Sequence, residues 1–115
     1  MTTIFERVSS ALATIDPAVP YAMAPYKSAG ELPAQYLAYE LIDSLADEHA
    51  DNAETARSYV VQVTIWSAGG LVTIPDVDTV MVTAGFAKSS WRQLPQDPES
   101  GHYGLAKDFV YLESL

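Results

Sequence analysis

The chain has 115 residues, of which 49% are hydrophobic, and its formal net charge is −9. This length predicts a single domain, residues 1–115, with one two-layer core. The sequence contains no cysteine, which excludes disulfides and thiol nucleophiles. Its six Lys and Arg residues are scattered, and this argues against a nucleic-acid-binding protein because such proteins use basic side chains to bind phosphates.

The first predicted element is a helix. Thr3 and Glu6 have the spacing of a capping box, in which each side chain bonds a backbone N–H at the helix start. Its apolar stripe consists of Ile4, Phe5, Val8, Leu12 and Ile15. We expect the helix to end at Asp16, because the residue before a proline is disfavoured in the α region. Residues 18–33 contain three prolines and are predicted to form an irregular, partly extended connection.

Two strands are predicted next, Tyr36–Asp43 and Ser58–Ser67. Apolar residues alternate in both, and the second is rich in the β-branched and aromatic side chains that favour strands. The segment between them, Ser44–Arg57, is polar and acidic with few apolar positions. It is predicted to be a long hairpin loop.

A second helix is predicted from about Pro75 to Ala84, with Gly85 as its C-terminal stop. Two final strands, Phe86–Gln93 and Leu105–Leu112, would flank an exposed loop. The order α-β-β-α-β-β predicts an α+β fold, a mainly antiparallel sheet of about four strands with both helices packed on one face. The predicted core is Ile4, Phe5, Val8, Leu12, Val61, Val63, Ile65, Val77, Val80, Met81 and Phe109.

The sequence has no glycine-rich phosphate loop and no Gly-x-Ser-x-Gly elbow, and its two histidines are too few for most metal sites. The cluster Asp47, Glu48, His49 and Asp51 has two interpretations, a weak metal or acid–base site and a solvated loop. The solvated loop is favoured, because a short polar stretch offers no rigid support for a site. We therefore predict that the protein is not an enzyme, with no catalytic, cofactor-binding or metal-binding residues.

Two groups of residues are candidates for contacts with other molecules. Aromatic side chains are enriched in protein interfaces, and the candidate interface residues are Tyr21, Tyr26, Tyr36, Trp66 and Trp91. For the tyrosines, a role in the core remains open. Trp66 or Trp91 is expected on the sheet face away from the helices. The candidate acidic surface, facing a ring lumen or a basic partner, comprises Glu40, Asp43, Asp47, Glu48, Asp51 and Glu54.

Four segments of the chain resemble the tail-completion, or tail-terminator, family of tailed bacteriophages. They are Pro20–Tyr21, the strand Tyr36–Asp43, the run Tyr59–Ser67 with its ending Val-Thr-Ile-Trp-Ser, and Tyr103–Glu113 with the pattern Tyr-Gly-x-x-x-Asp-Phe-x-Tyr. Each motif is short, and the resemblance rests on their joint order along nearly the whole chain.

The resemblance implies a structural virion protein of the phage neck, assembled in the host cytoplasm. Such a protein forms a ring, commonly a hexamer, at the head-proximal end of the tail tube, and the ring joins the tail to the phage head. Its partners would be further copies of itself, the tail tube protein and the head connector, with DNA passing through without specific binding. Two alternatives stay open: a head–tail connector or neck adaptor, and a small acidic monomeric regulator that binds a basic partner.

Overall fold

The computed structural model describes residues 2–28, 30–50 and 53–114, and for residues 47–50 it describes the backbone alone. The elements in chain order are α1 (Ile4–Leu12), β1 (Tyr21–Met23), β2 (Gln35–Ala50), β3 (Ala53–Ser67), α2 (Val77–Thr83), β4 (Ala87–Leu94) and β5 (Tyr103–Ser114). Neither helix of the described chain has the length and apolar character needed to cross a membrane.

Local sequence signals set the start of each helix, whereas α1 ends at Leu12, four residues before the predicted stop at Asp16. The capping box at the start of α1 is confirmed, because the Glu6 backbone N–H donates to Thr3 Oγ1 at 3.1 Å and the Thr3 N–H donates to the Glu6 carboxylate. Helix α2 begins two residues later than predicted, since Asp76 is its N-cap and accepts a hydrogen bond from the Thr79 N–H. Gly85 follows α2 with φ of +100°, a conformation that glycine adopts without strain.

The fold is α+β, as predicted, with two helices and a five-stranded mixed sheet in the order β1-β2-β3-β5-β4. The prediction of about four strands omitted β1, so the predicted order of elements was also incomplete. This three-residue strand lies in the segment expected to be irregular and pairs parallel to residues 37–39 of β2. The Leu37 N–H donates to the Pro20 carbonyl at 2.9 Å, and the Ala24 N–H donates to the Tyr39 carbonyl at 2.8 Å. The other three strand pairs are antiparallel.

The prediction of a loop at residues 44–57 is wrong. Strands β2 and β3 continue through this segment as an antiparallel ribbon, with Ala50 paired to Ala53. Arg57 stabilises the ribbon by donating to Ser44 Oγ at 2.9 Å and to Glu54 Oε2 at 2.7 Å. Both faces of a ribbon that extends beyond the core contact solvent, so its strands do not need the apolar alternation on which the prediction relied. The molecule measures 52 × 26 × 26 Å.

The core lies between the two helices and one face of the sheet, here called the covered face. Nine of the eleven predicted core residues are buried, namely Ile4, Val8, Leu12, Val61, Val63, Ile65, Val77, Met81 and Phe109. Val80 is only partly buried against them. Phe5 was wrongly predicted: its side chain is 37% exposed, because it lies at the flank of the α1 stripe in the first helical turn.

The opposite face of the sheet, here called the open face, carries no helix, since both helices contribute to the single core cluster. Before residue 42, β2 places Leu37, Tyr39 and Leu41 on the covered face, as predicted. A β-bulge between Leu41 and Asp43 then shifts the alternation, and Asp43 lies opposite Val60 on the open face. Leu45, which lies opposite Ser58, therefore leaves the core side of the sheet as well.

Candidate assembly surface

An aromatic cluster occupies one end of the open face. The Tyr36 ring lies 4.5 Å from the Tyr26 ring and 5.2 Å from the His102 ring, measured between centroids. His102 Nε2 lies 2.8 Å from the Pro33 carbonyl, and it carries the proton because a carbonyl can only accept. Burial raises the pKa of Tyr36 above its ordinary value, with smaller contributions from Asp97 and Tyr26. Tyr36 is 6% exposed, so within one protomer it anchors the flanking loops to the sheet.

Trp66 lies beside this cluster, on the open face as expected. It is paired across the sheet with Tyr36 on one side and Gly104 on the other. Its ring covers the Gly104 backbone so closely that a Cβ atom on Gly104 would lie 2.7 Å from Trp66 Cζ3. The indole is partly buried, and glycine is required beneath it because any larger residue would displace the ring.

The other two aromatic candidates lie elsewhere. Tyr21 is in β1 and packs against the core, on the covered side of the sheet. Trp91 is in β4 opposite Lys107, and the Lys107 amino group bonds Asp78 of α2. This contact places Lys107 on the helix side of the sheet, so Trp91 does not lie on the open face. A bulge between Lys88 and Trp91 changes the alternation of β4, which no sequence pattern indicated. The five aromatic candidates therefore do not form one continuous surface.

Trp91 is the most exposed aromatic side chain of the described chain, at 70%. It lines a surface cavity of about 380 Å³ together with Lys88, Lys107 and Asp78. Seven of the eight residues of β4 are exposed. This strand forms one edge of the sheet, so its outer backbone groups are available to another strand.

The candidate acidic residues belong mainly to the ribbon rather than to a loop. Glu40 and Asp43 are exposed on β2, beyond the point where β1 stops pairing with it. Glu54 is held by Arg57, whose Nε lies 2.6 Å from Glu54 Oε1, and this contact raises the pKa of Arg57. Asp47 and Glu48 are in β2, where the structure describes their backbone only, and Asp51 lies outside the described residues.

Sequence reasoning missed an apolar patch on the ribbon. Leu45, Ser58 and Leu112 lie side by side across β2, β3 and β5 on the open face. The two leucines are 56% and 54% exposed, and Ile42 in the β2 bulge is 51% exposed. The pattern could not be detected in the sequence, because it depends on the register of three strands and on the bulge.

A polar network lies at the middle of the open face. Asp108 of β5 accepts hydrogen bonds from Gln62 Nε2 at 3.1 Å and from Ser90 Oγ at 3.0 Å. It links β3 to the bulged part of β4 and fixes the position of that edge strand. The network satisfies its own donors and acceptors, and it gives Asp108 a structural role.

In the part of the chain that the structure describes, no three His, Asp or Glu side chains come together in an arrangement that could hold a metal ion. No protein-family model matches the chain, and no curated protein sequence matches it significantly.

Proposed function

We propose that the protein is a non-enzymatic structural component of a tailed bacteriophage, which caps the head-proximal end of the tail tube as a ring and joins tail to head. The observation that carries the proposal is the long β2–β3 ribbon, which extends from a two-layer domain whose sheet has an exposed edge strand, β4, and helices on one face alone. Such a protomer offers several exposed surfaces to other protein chains.

The arrangement of motifs supports the same proposal. The run Tyr59–Ser67, which carries part of the family resemblance, forms the middle of the sheet in β3, and the run Tyr103–Glu113 forms β5 beside it. The two segments pair from Ser67–Tyr103 to Tyr59–Tyr111. These two resembling segments thus form neighbouring strands in the interior of the sheet.

The acidic ribbon fits a ring through which DNA passes. Phosphates bind where Lys and Arg neutralise them, and β2 contains four acidic residues without one Lys or Arg. A lumen lined in this way would let DNA slide because it provides no countercharge. Reversal of Asp47 and Glu48 to Lys should leave folding intact and increase DNA binding, measured by fluorescence anisotropy with a labelled duplex at low salt. Unchanged DNA binding would contradict the lumen assignment.

The deciding experiment is imaging of the virion neck. We expect cryo-electron microscopy of purified particles to place several copies of this chain in a ring at the end of the tail tube. Absence of the chain from that position, or a single copy there, would refute the proposal. A variant truncated between residues 44 and 57 provides a control, because it removes the ribbon end and should block joining without preventing the two-layer body from folding.

A further inference from the structure

The two edges of the sheet carry opposite charge. The charged residues of β4 are Lys88 and Arg92, and this strand has no acidic residue. The free length of β2 beyond Tyr39 contains Glu40 and Asp43 and has no Lys or Arg. Within the described chain, none of these four side chains forms an ion pair.

The two edges cannot neutralise each other inside one protomer. Strands β3 and β5 lie between them, so the edges are three strand spacings apart, about 14 Å. This separation exceeds the Debye length, about 8 Å at physiological ionic strength, and the attraction between exposed charges is largely screened over it. Contact between the two edges requires a second molecule.

The strand directions allow that contact without inverting a subunit. β2 is antiparallel to β3, β3 to β5 and β5 to β4, and therefore β4 runs antiparallel to β2 in the same sheet. A second copy placed beside the first in the same orientation brings its β2 edge against β4 as an antiparallel neighbour. Arg92 and Glu40 both lie on the open face, opposite Ala106 and Gln62 respectively, and a shift of the second copy by two residues along the strand direction would bring them opposite each other.

We propose that the β4 edge of one copy binds the β2 edge of the next copy, residues 40–46, in a repeating head-to-tail contact. Exposed apolar side chains accompany the charges on both sides, Trp91 on β4 and Ile42 and Leu45 on β2. Because the two surfaces differ, the contact is heterologous and closes into a ring or extends as a filament. The inference rests on the proposed function for its ring closure, and it identifies the surfaces that join the copies.

The absence of cysteine allows a direct test by cross-linking. Ile42→Cys and Ser89→Cys place one thiol on each edge and leave the four charges unchanged. We expect a short bifunctional maleimide to join the first variant to the second when the two are mixed, and to join neither variant to itself. Linkage mainly between two Ile42→Cys molecules would indicate a symmetric dimer and overturn the proposal, as would no linkage in concentrated, low-salt samples.

Charge exchange then tests the complementarity. Lys88→Glu with Arg92→Glu in one partner should lower the cross-linking yield by about tenfold, since both edges would then be acidic and like charges on neighbouring strands repel. Combining this partner with a Glu40→Lys, Asp43→Lys partner should restore the yield. Failure of the exchange to restore it, or increased aggregation of the reversed β4 variant, would show that Lys88 and Arg92 only protect the edge, and would overturn the proposal.

Lys27→Glu is the matched control, because Lys27 is exposed and lies outside both edges. An equal fall in cross-linking for this variant would reveal a net-charge effect and contradict the edge contact. The result of the cross-linking can be distinguished from the result of imaging the virion neck. A ring at the tail end without Ile42–Ser89 linkage overturns the edge contact alone, whereas linkage in a chain absent from the neck overturns the proposed function alone.

Discussion

Gly104 provides a sharp test of the packing on the open face. In the Gly104→Ala variant the new methyl group would lie 2.7, 2.9 and 3.0 Å from three ring atoms of Trp66, whereas ordinary van der Waals contact begins at 3.4 Å. The shortest contact is thus about 0.7 Å too close, and the indole has to move because β5 is held by strands on both sides. Overpacking of this kind costs about 1–3 kcal/mol of unfolding free energy.

The assay combines urea unfolding with tryptophan fluorescence in a Trp91→Phe background, in which Trp66 is the single tryptophan. We expect the midpoint to fall and the native emission of Trp66 to shift to longer wavelength, because the displaced ring enters solvent. Gly69→Ala is the matched control. No atom lies within 4 Å of its added methyl group, and reduced freedom of the unfolded chain should make it neutral or stabilising by about 0.4–1 kcal/mol.

A double-mutant cycle isolates the contact between the two residues. In a Trp66→Leu background the Gly104→Ala substitution should cost less, since the planar ring that causes the clash is gone. An unchanged midpoint together with unchanged Trp66 emission in Gly104→Ala would refute the reasoning. Equal costs in the two backgrounds would refute it as well, because the penalty would then come from the backbone of β5.

Two further predictions concern the core and the second helix. Met81→Ala should lower the unfolding free energy, measured by urea unfolding, by about 2–5 kcal/mol, because Met81 is fully buried. Val82→Ala is the control and should change it by less than about 0.5 kcal/mol, because Val82 is exposed. Similar values for the two variants would contradict the core assignment. Hydrogen bonds from Thr79 hold the pKa of Asp76 below its ordinary value of 3.8. The Asp76 carboxylate therefore stabilises the fold at pH values above 3.8, and this stabilisation is lost as the pH falls through the lower pKa of the folded state. Asp76→Asn should remove this part of the acid sensitivity in pH-dependent thermal unfolding, and an unaltered pH profile would argue against the cap.

The parts of the fold that the sequence predicted are those decided by short-range physics. The capping box of Thr3 and Glu6, the α1 stripe and the alternation of Tyr59–Ser67 each depend on residues a few positions apart, so a periodic pattern is sufficient to identify them. The stop at Gly85 belongs to the same class, because a positive φ favours glycine wherever it occurs.

Tertiary structure decided the features that depend on partners distant in the chain. Strand β1 forms because Tyr21–Met23 pairs with β2. The ribbon forms because residues 44–50 pair with residues 53–59. Neither β1 nor the ribbon has the amino-acid composition typical of strands. The bulges at Leu41 and Lys88 then determine which side chains leave the core side, including Leu45 and Trp91. A one-residue shift moves the side chains that follow to the other face of the sheet. The strand register therefore determined the candidate assembly surface, whereas the sequence pattern determined the core.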